Sequence, residues 1–321
     1  MKALRDWSIE DADQYLKSLG LETGVEDISS AGEGNMNCTQ RIRLASQNSF
    51  ILKQSSNFCE KYPEVAAPIT RLKEEVLFYD LARVNPKLKE VTPNKISFDE
   101  KNFLFLMEDL GQGKDFSSLY NGERISDIDL RAVASILSEI HNTKIDKDVV
   151  FNNHEMRKLN HAHMYDIPLQ VENGLNLDEI TPGLNDLKNK LINHSGYTKR
   201  VKELGEIYLS NGDHLVHGDY YPNSWLKCAD KIYIIDPEFG FKGVKEFDIG
   251  VAIAHLYLSN HQDNDIEIFF KNYLGEFDKK LSFEFAGVEI MRRILGYAQL
   301  PISKELDHLE KLLNRSIALV G

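Results

Sequence analysis

Leu215-Val216-His217-Gly218-Asp219-Tyr220-Tyr221-Pro222-Asn223-Ser224-Trp225-Leu226, followed by Ile232-Tyr233-Ile234-Ile235-Asp236-Pro237-Glu238, decides how this chain is read. Apolar residues lead into each carboxylate, so each acid is expected where a short strand gives way to a loop facing a cleft. A loop aspartate followed by an acidic pair matches what phosphoryl transfer demands. One group must orient and deprotonate the attacking hydroxyl, and hard oxygen ligands must hold a metal that neutralises phosphate charge. Asp219 is the candidate base. Asp236 and Glu238 flank Pro237, so in an extended segment their side chains point the same way and share Mg2+. His217 is assigned to orienting the Asp219 loop, since His214, His217 and Cys228 are too irregularly spaced for a zinc site.

Toward the N-terminus, Asp11 to Leu19 reads as a short helix, and Val25 to Ala31, Cys38 to Leu44 and Ser49 to Gln54 read as strands. Between the first two strands, Gly32-Glu33-Gly34-Asn35-Met36-Asn37 suits a loop whose backbone N–H groups approach phosphates. Gly34 permits a tight turn there, and Asn35 tolerates positive φ. Lys53 ends the apolar run Phe50-Ile51-Leu52, which requires either a sheet edge or a partner such as Glu75. Glu75 lies in Pro68 to Ala82, where Leu72, Val76, Leu77 and Tyr79 recur at helical spacing. A strand pair follows at Lys95 to Phe98 and Phe103 to Met107. The chain then changes character at Glu108-Asp109-Leu110-Gly111, and the later Gly111-Gln112-Gly113-Lys114 lacks the spacing of a P-loop. The expected boundary therefore separates residues 1–108 from 109–321. In the second part, Leu130, Val133, Ile136, Leu137 and Ile140 form an apolar helical stripe. Further helices are expected at Leu184 to Ile192, Lys199 to Ser210, Phe247 to Leu258, Asp265 to Tyr273, Phe283 to Ala298 and Lys304 to Leu319. The fold class is α+β and bilobal: a small antiparallel sheet with one helix, then a larger, mainly helical lobe.

With 321 residues the chain is long enough for two lobes. A net charge of -12 argues against broad nucleic-acid binding. Cys38, Cys59 and Cys228 are unclustered and form neither a disulfide framework nor a zinc ribbon, which fits a reducing cytoplasm. Met1 to Trp7 lacks an apolar signal core, and the apolar run Ile249 to Leu258 is too short for a bilayer. A cytoplasmic protein with a small-molecule partner, and no membrane or nucleic-acid partner, is expected; a homodimer is compatible with this composition.

His217-Gly218-Asp219 with Asp236-Pro237-Glu238 resembles the catalytic and metal motifs of the aminoglycoside phosphotransferase and choline kinase superfamily, which has a protein-kinase-like fold. The resemblance spans nearly the whole chain. It implies ATP and Mg2+ as cofactors, with Gly34 and Asn35 in the phosphate loop and Lys53, paired with Glu75, on the phosphates. Glu108 and Leu110 fall in the hinge that holds adenine, Asp219 is the base, Asp236 and Glu238 are the metal ligands, and Asp248 is a buried brace for the catalytic loop.

Within that superfamily the sequence looks most like methylthioribose kinases. Gly34-Asn35-Met36-Asn37, Asp236-Pro237-Glu238-Phe239, Phe247-Asp248-Ile249-Gly250 and Arg292-Arg293-Ile294-Leu295-Gly296 carry this likeness. Ser224 stands where most of the wider superfamily has asparagine, and is assigned beside the metal ligands. Arg292 and Arg293 are expected to hold sugar hydroxyls and the transferring phosphoryl group. Adjacent helical residues point about 100° apart, so only one of them is expected in the cleft. Tyr220-Tyr221-Pro222-Asn223 departs from the Leu-His-Thr-Gly of those kinases, which places Tyr220, and Tyr221 with it, beside the acceptor. A methylthioribose-like sugar is the favoured acceptor; an aminoglycoside or a choline-like amino alcohol is the alternative.

Overall fold

The computed structural model describes residues 2–32 and 36–321, so Gly34 and Asn35 of the expected phosphate loop lie outside the described residues. The first sheet is antiparallel and is built from β1 (Val25–Ser30), β2 (Cys38–Leu44), β3 (Ser49–Gln54), β4 (Lys95–Asp99) and β5 (Leu104–Glu108), in the order β1-β2-β3-β5-β4. Helix α1 (Ile9–Ser18) starts with a capping box between Ser8 and Asp11, which satisfies amides at its first turn. Alternation along the strands divides their side chains between two cores. Leu52, Leu104 and Leu106 pack with Trp7, Tyr15 and Leu16, whereas Ile51, Phe105 and Met107 pack with Leu72, Val76 and Tyr79 of α2 (Arg71–Ala82). Lys53 shares the parity of Ile51, which aims it at α2 and the cleft.

Short helix α3 (Pro86–Val91) precedes β4, and strand β6 (Lys114–Asp115) follows β5. Helices α4 (Asp127–His141), α5 (His154–His161), α6 (Leu177–Ile180), α7 (Leu184–Ile192) and α8 (Ser195–Leu209) then lead to four short strands. These are β7 (His214–Val216), β8 (Trp225–Cys228), β9 (Lys231–Ile234) and β10 (Phe241–Gly243). Val216 of β7 pairs with Phe241 of β10, and Trp225 of β8 with Ile234 of β9. A further bond, Ile235 N–H to the Ser224 carbonyl at 3.0 Å, extends the β8-β9 pairing past its regular end. The loop carrying Asp219 thus runs from the β7-β10 pair, and the one carrying Asp236 from the sheet β6-β8-β9.

Helix α9 (Glu246–Leu258) is buried along its whole length, and α10 (Asp263–Asn272), α11 (Lys279–Leu295) and α12 (Leu306–Val320) pack around it. The crossing of α9 with α11 is close because Gly250 has no side chain: a Cβ there would stand 2.5 Å from the Phe285 Cβ. Helix α11 ends at Leu295 rather than continuing to Ala298, with Gly296 taking extended backbone as its C-cap. Helix α5 and the π turn Ala162–Asp166 that follows it were not expected, because this polar stretch has no clear apolar period. Among the described residues no helix is long and apolar enough to cross a membrane.

Candidate active site

The loop bearing Asp219 is fixed by its backbone. Asp248, fully buried on α9, accepts the amides of His217 at 2.6 Å and Gly218 at 2.9 Å, and also His141 Nε2–H at 3.2 Å. His141 in turn accepts the Tyr273 hydroxyl on Nδ1 at 2.8 Å. Gly218 has φ 83°, and a Cβ on it would lie 2.1 Å from the Phe239 carbonyl oxygen, so glycine is required there. His217 donates Nε2–H to the Ile235 carbonyl at 3.1 Å and receives the Asp219 amide on Nδ1 at 3.3 Å. Burial lowers its proton affinity and keeps the ring neutral, as this tautomer requires. The imidazole thereby ties the Asp219 loop to the strand end that carries Asp236.

Lys53 has the Glu75 partner that its buried place demands, at 2.6 Å, and a second contact to Asp236. Burial alone would drive the proton from the ammonium, but Asp236 and Glu75 more than offset it, and Lys53 stays charged. Glu238 lies deeper than Asp236. It accepts Asn37 Nδ2–H at 2.9 Å and stands 3.6 Å from the guanidinium of Arg71. Arg71, buried without solvent access, also donates to Asn37 Oδ1 at 2.9 Å and to the carbonyls of Met36, Ser56, Phe58 and Pro68. Burial pushes the Glu238 carboxyl up to about 8, with Glu75 adding to the effect and Arg71 and Lys53 opposing it.

The two acids do not share a direction through strand alternation. Strand β9 ends at Ile234 and Asp236 takes left-handed backbone, φ 60°, so Lys53 and Arg71 gather them instead. Asn153, itself at φ 42°, donates to the carbonyls of Glu238 and Gly240 and holds the segment beyond Asp236.

Glu108 closes β5 with its carboxylate on the Asn94 amide at 3.0 Å, and Leu110 is half-buried in the segment that follows. Between them, Asp109 is gripped by Arg41 at 2.6 and 3.1 Å and by the Ser49 hydroxyl at 2.7 Å, which pins the connection to the sheet.

Three further expectations need correction. Tyr220 does not face the acceptor: it is fully buried, donates its hydroxyl to the Val133 carbonyl at 2.8 Å and packs on Trp225 and His217. Its neighbour Tyr221 lies by Asp219 instead, with Arg293 4.9 Å above its ring. Ser224 is not turned toward Asp236; its hydroxyl donates to the Tyr221 carbonyl at 2.8 Å and accepts the Tyr221 amide at 3.1 Å, closing the turn at Pro222. Arg292 and Arg293 do not divide between cleft and support. Both reach Asp219 Oδ1, at 3.7 and 3.4 Å, and both bond Glu289, a buried acid not singled out from the sequence. Burial raises the Asp219 carboxyl to about 6, against the pull of Arg293 and Arg292.

The fold has counterparts among solved structures. A spectinomycin phosphotransferase in complex with ADP and its antibiotic superposes with a TM-score of 0.57 at 15% identity, covering 97% of each chain. A choline kinase from Streptococcus pneumoniae does so with a TM-score of 0.54 at 13% identity, covering 97% of this chain and 98% of that one. The fold is the protein-kinase-like fold of these phosphotransferases, and no protein-family model matches the chain. By sequence the chain is similar to the methylthioribose kinase of Exiguobacterium sibiricum, 24% identical over 98% of this chain and 82% of that protein. Taken together, these likenesses make it a kinase-type phosphotransferase with a hydroxyl acceptor.

Two outcomes follow from the geometry. Tyr220→Phe removes one buried hydrogen bond, so denaturant unfolding should show a loss of about 1 kcal/mol while the acceptor KM is unchanged. Asp219 accepts a proton only when ionised, so kcat/KM should fall as pH drops through about 6, and a pH-rate profile checks this.

Proposed function

We propose that the protein transfers the γ-phosphoryl group of ATP to a hydroxyl of a methylthioribose-like sugar, with Mg2+ held by Asp236 and Glu238. The observation that carries this reading is the convergence of the largely buried Arg292 and Arg293 on Asp219. Guanidinium groups donate several hydrogen bonds in a fixed fork, which suits sugar hydroxyls and phosphoryl oxygens. They oppose a quaternary ammonium or a polycationic antibiotic, for which aromatic or acidic walls would be expected. The similarity to methylthioribose kinases supports the same class of acceptor.

The donor side fits a hydrated divalent cation. Three acids, Glu75, Asp236 and Glu238, surround two cations, Lys53 and Arg71; burial favours the protonated form of Glu238, which a divalent cation would reverse, and the Asp236 side chain is 49% exposed. The oxygen donors are hard, and Mg2+ commonly takes one or two carboxylates with phosphate and water completing its shell. When bound, Mg2+ would neutralise charge on the donor phosphates.

Lys53 supplies a fixed cation to those phosphates, and Glu75 keeps it in place. Glu108 to Leu110 forms the edge against which the base of the nucleotide rests. Asp219 orients the acceptor hydroxyl and takes its proton as the acceptor oxygen bonds the γ-phosphorus, while the electron pair of the broken bridge bond leaves with ADP. Arg292 and Arg293 offset charge on the transferring group.

A coupled ADP-release assay with methylthioribose, ribose, choline and spectinomycin tests the acceptor. The expected result is a kcat/KM for methylthioribose about 10²-fold or more above choline and spectinomycin. Turnover only with choline or the antibiotic would overturn the sugar assignment.

A further inference from the structure

Helix geometry turns neighbouring residues about 100° from each other, so two adjacent arginines do not meet one carboxylate without help. Glu289, on the same face of α11, supplies that help. Its Oε1 accepts Arg292 Nη2–H at 3.0 Å and Arg293 Nε–H at 2.7 Å, and its Oε2 accepts Arg292 Nε–H. The acid is fixed from behind: His255 on α9 donates Nε2–H to Oε1 at 2.9 Å, and the Tyr120 hydroxyl occupies His255 Nδ1. Glu289, His255 and Tyr120 are all buried and are bonded to one another through His255.

We propose that Glu289 is the positioning residue of the acceptor site, its one carboxylate drawing Arg292 and Arg293 together so that both act on Asp219 and on the group transferred there. This rests on the phosphotransfer reading above, and extends it to a residue with no contact to substrate. Asp219 is faced by Arg292, Arg293 and Glu289 from α11, by Asp248 from α9 and by Tyr221 from its own loop. Burial lowers the proton affinity of His255 to about 4, so that ring is neutral at physiological pH.

The cluster then balances two arginines against the carboxylates of Glu289 and Asp219. Once Asp219 has taken the acceptor proton, the arginines hold an unopposed positive charge beside the transferring phosphoryl group. Glu289 sets that balance as well as the geometry. With the acid neutralised, the arginines act on Asp219 alone and favour its ionised form more strongly.

Two substitutions separate charge from reach. Glu289→Gln keeps the shape and removes the charge, and is expected to lower kcat by about 10²-fold, because both arginines then pair with Asp219, which weakens it as a base and draws them from the transferring group, with the ATP KM within about twofold of wild type. It should also move the acidic limb of the pH-rate profile to lower pH. Glu289→Asp keeps the charge and shortens the reach, so kcat should fall while the limb stays near its wild-type position. A Cγ-carbon NMR titration of Asp219, assigned by the signal lost in Asp219→Asn, reads the same shift without an acceptor. It separates failure of this proposal from failure of the acceptor assignment.

If Glu289→Gln does not fold, as judged by circular dichroism, Arg292→Lys and Arg293→Lys carry the test, and each alone should lower kcat. A folded Glu289→Gln protein with wild-type kcat and an unmoved Asp219 titration would overturn the proposal. So would an arginine pair of which only one member matters.

Discussion

Asp248 is the residue on which the rest of the site depends. Its carboxylate takes two successive backbone amides, of His217 and Gly218, from inside a helix that has no exposed residue. Hydrogen bonds to a charged acceptor are stronger than neutral ones, about 1.5–3 kcal/mol each, and here two of them act on the peptide units just before Asp219. The loop cannot relax away from α9 without leaving a buried charge unpaired. Gly218 makes the approach possible, since its backbone passes where a side chain would collide with the Phe239 carbonyl. The backbone of Asp219 is thus set by main-chain bonds, and its side chain meets the two arginines of α11.

From that fixed loop the molecule keeps two groups of acids apart. Around Lys53 and Arg71, acids outnumber cations, an imbalance suited to a metal carrying phosphates. Around Asp219 two arginines balance two carboxylates, an arrangement suited to a proton that moves during the reaction. His217 joins the two groups by bonding the carbonyl before Asp236 while receiving the amide of Asp219. The two groups are therefore held in register by one neutral imidazole.

Much of this was legible in the sequence because it is local. Lys53 ended an apolar strand, where an ammonium needs either a sheet edge or a partner such as Glu75, and the structure supplies Glu75 at 2.6 Å. Strand and helix positions were readable for the same reason, to within a few residues at their ends. Contacts between residues far apart in the chain were not readable. Nothing in the sequence ties Asn37 and Arg71 to Glu238, or Asn153 to the carbonyl of Glu238. The choice between Tyr220 and Tyr221 turned on the tight turn at Pro222, which sends the first ring into the core and leaves the second by the cleft. Glu289 did carry a signal, an acid one turn before two arginines in an otherwise apolar helix.

The central claim is that Asp219 serves the acceptor while Lys53, Asp236 and Glu238 serve the donor. Calorimetric titration of Asp219→Asn with Mg2+ and a non-hydrolysable ATP analogue, paired with a transfer assay, tests it most directly. Nucleotide affinity within about twofold of wild type, with kcat reduced by about 10²–10⁴-fold, is the result expected of a general base. Undiminished turnover in the variant would contradict the account.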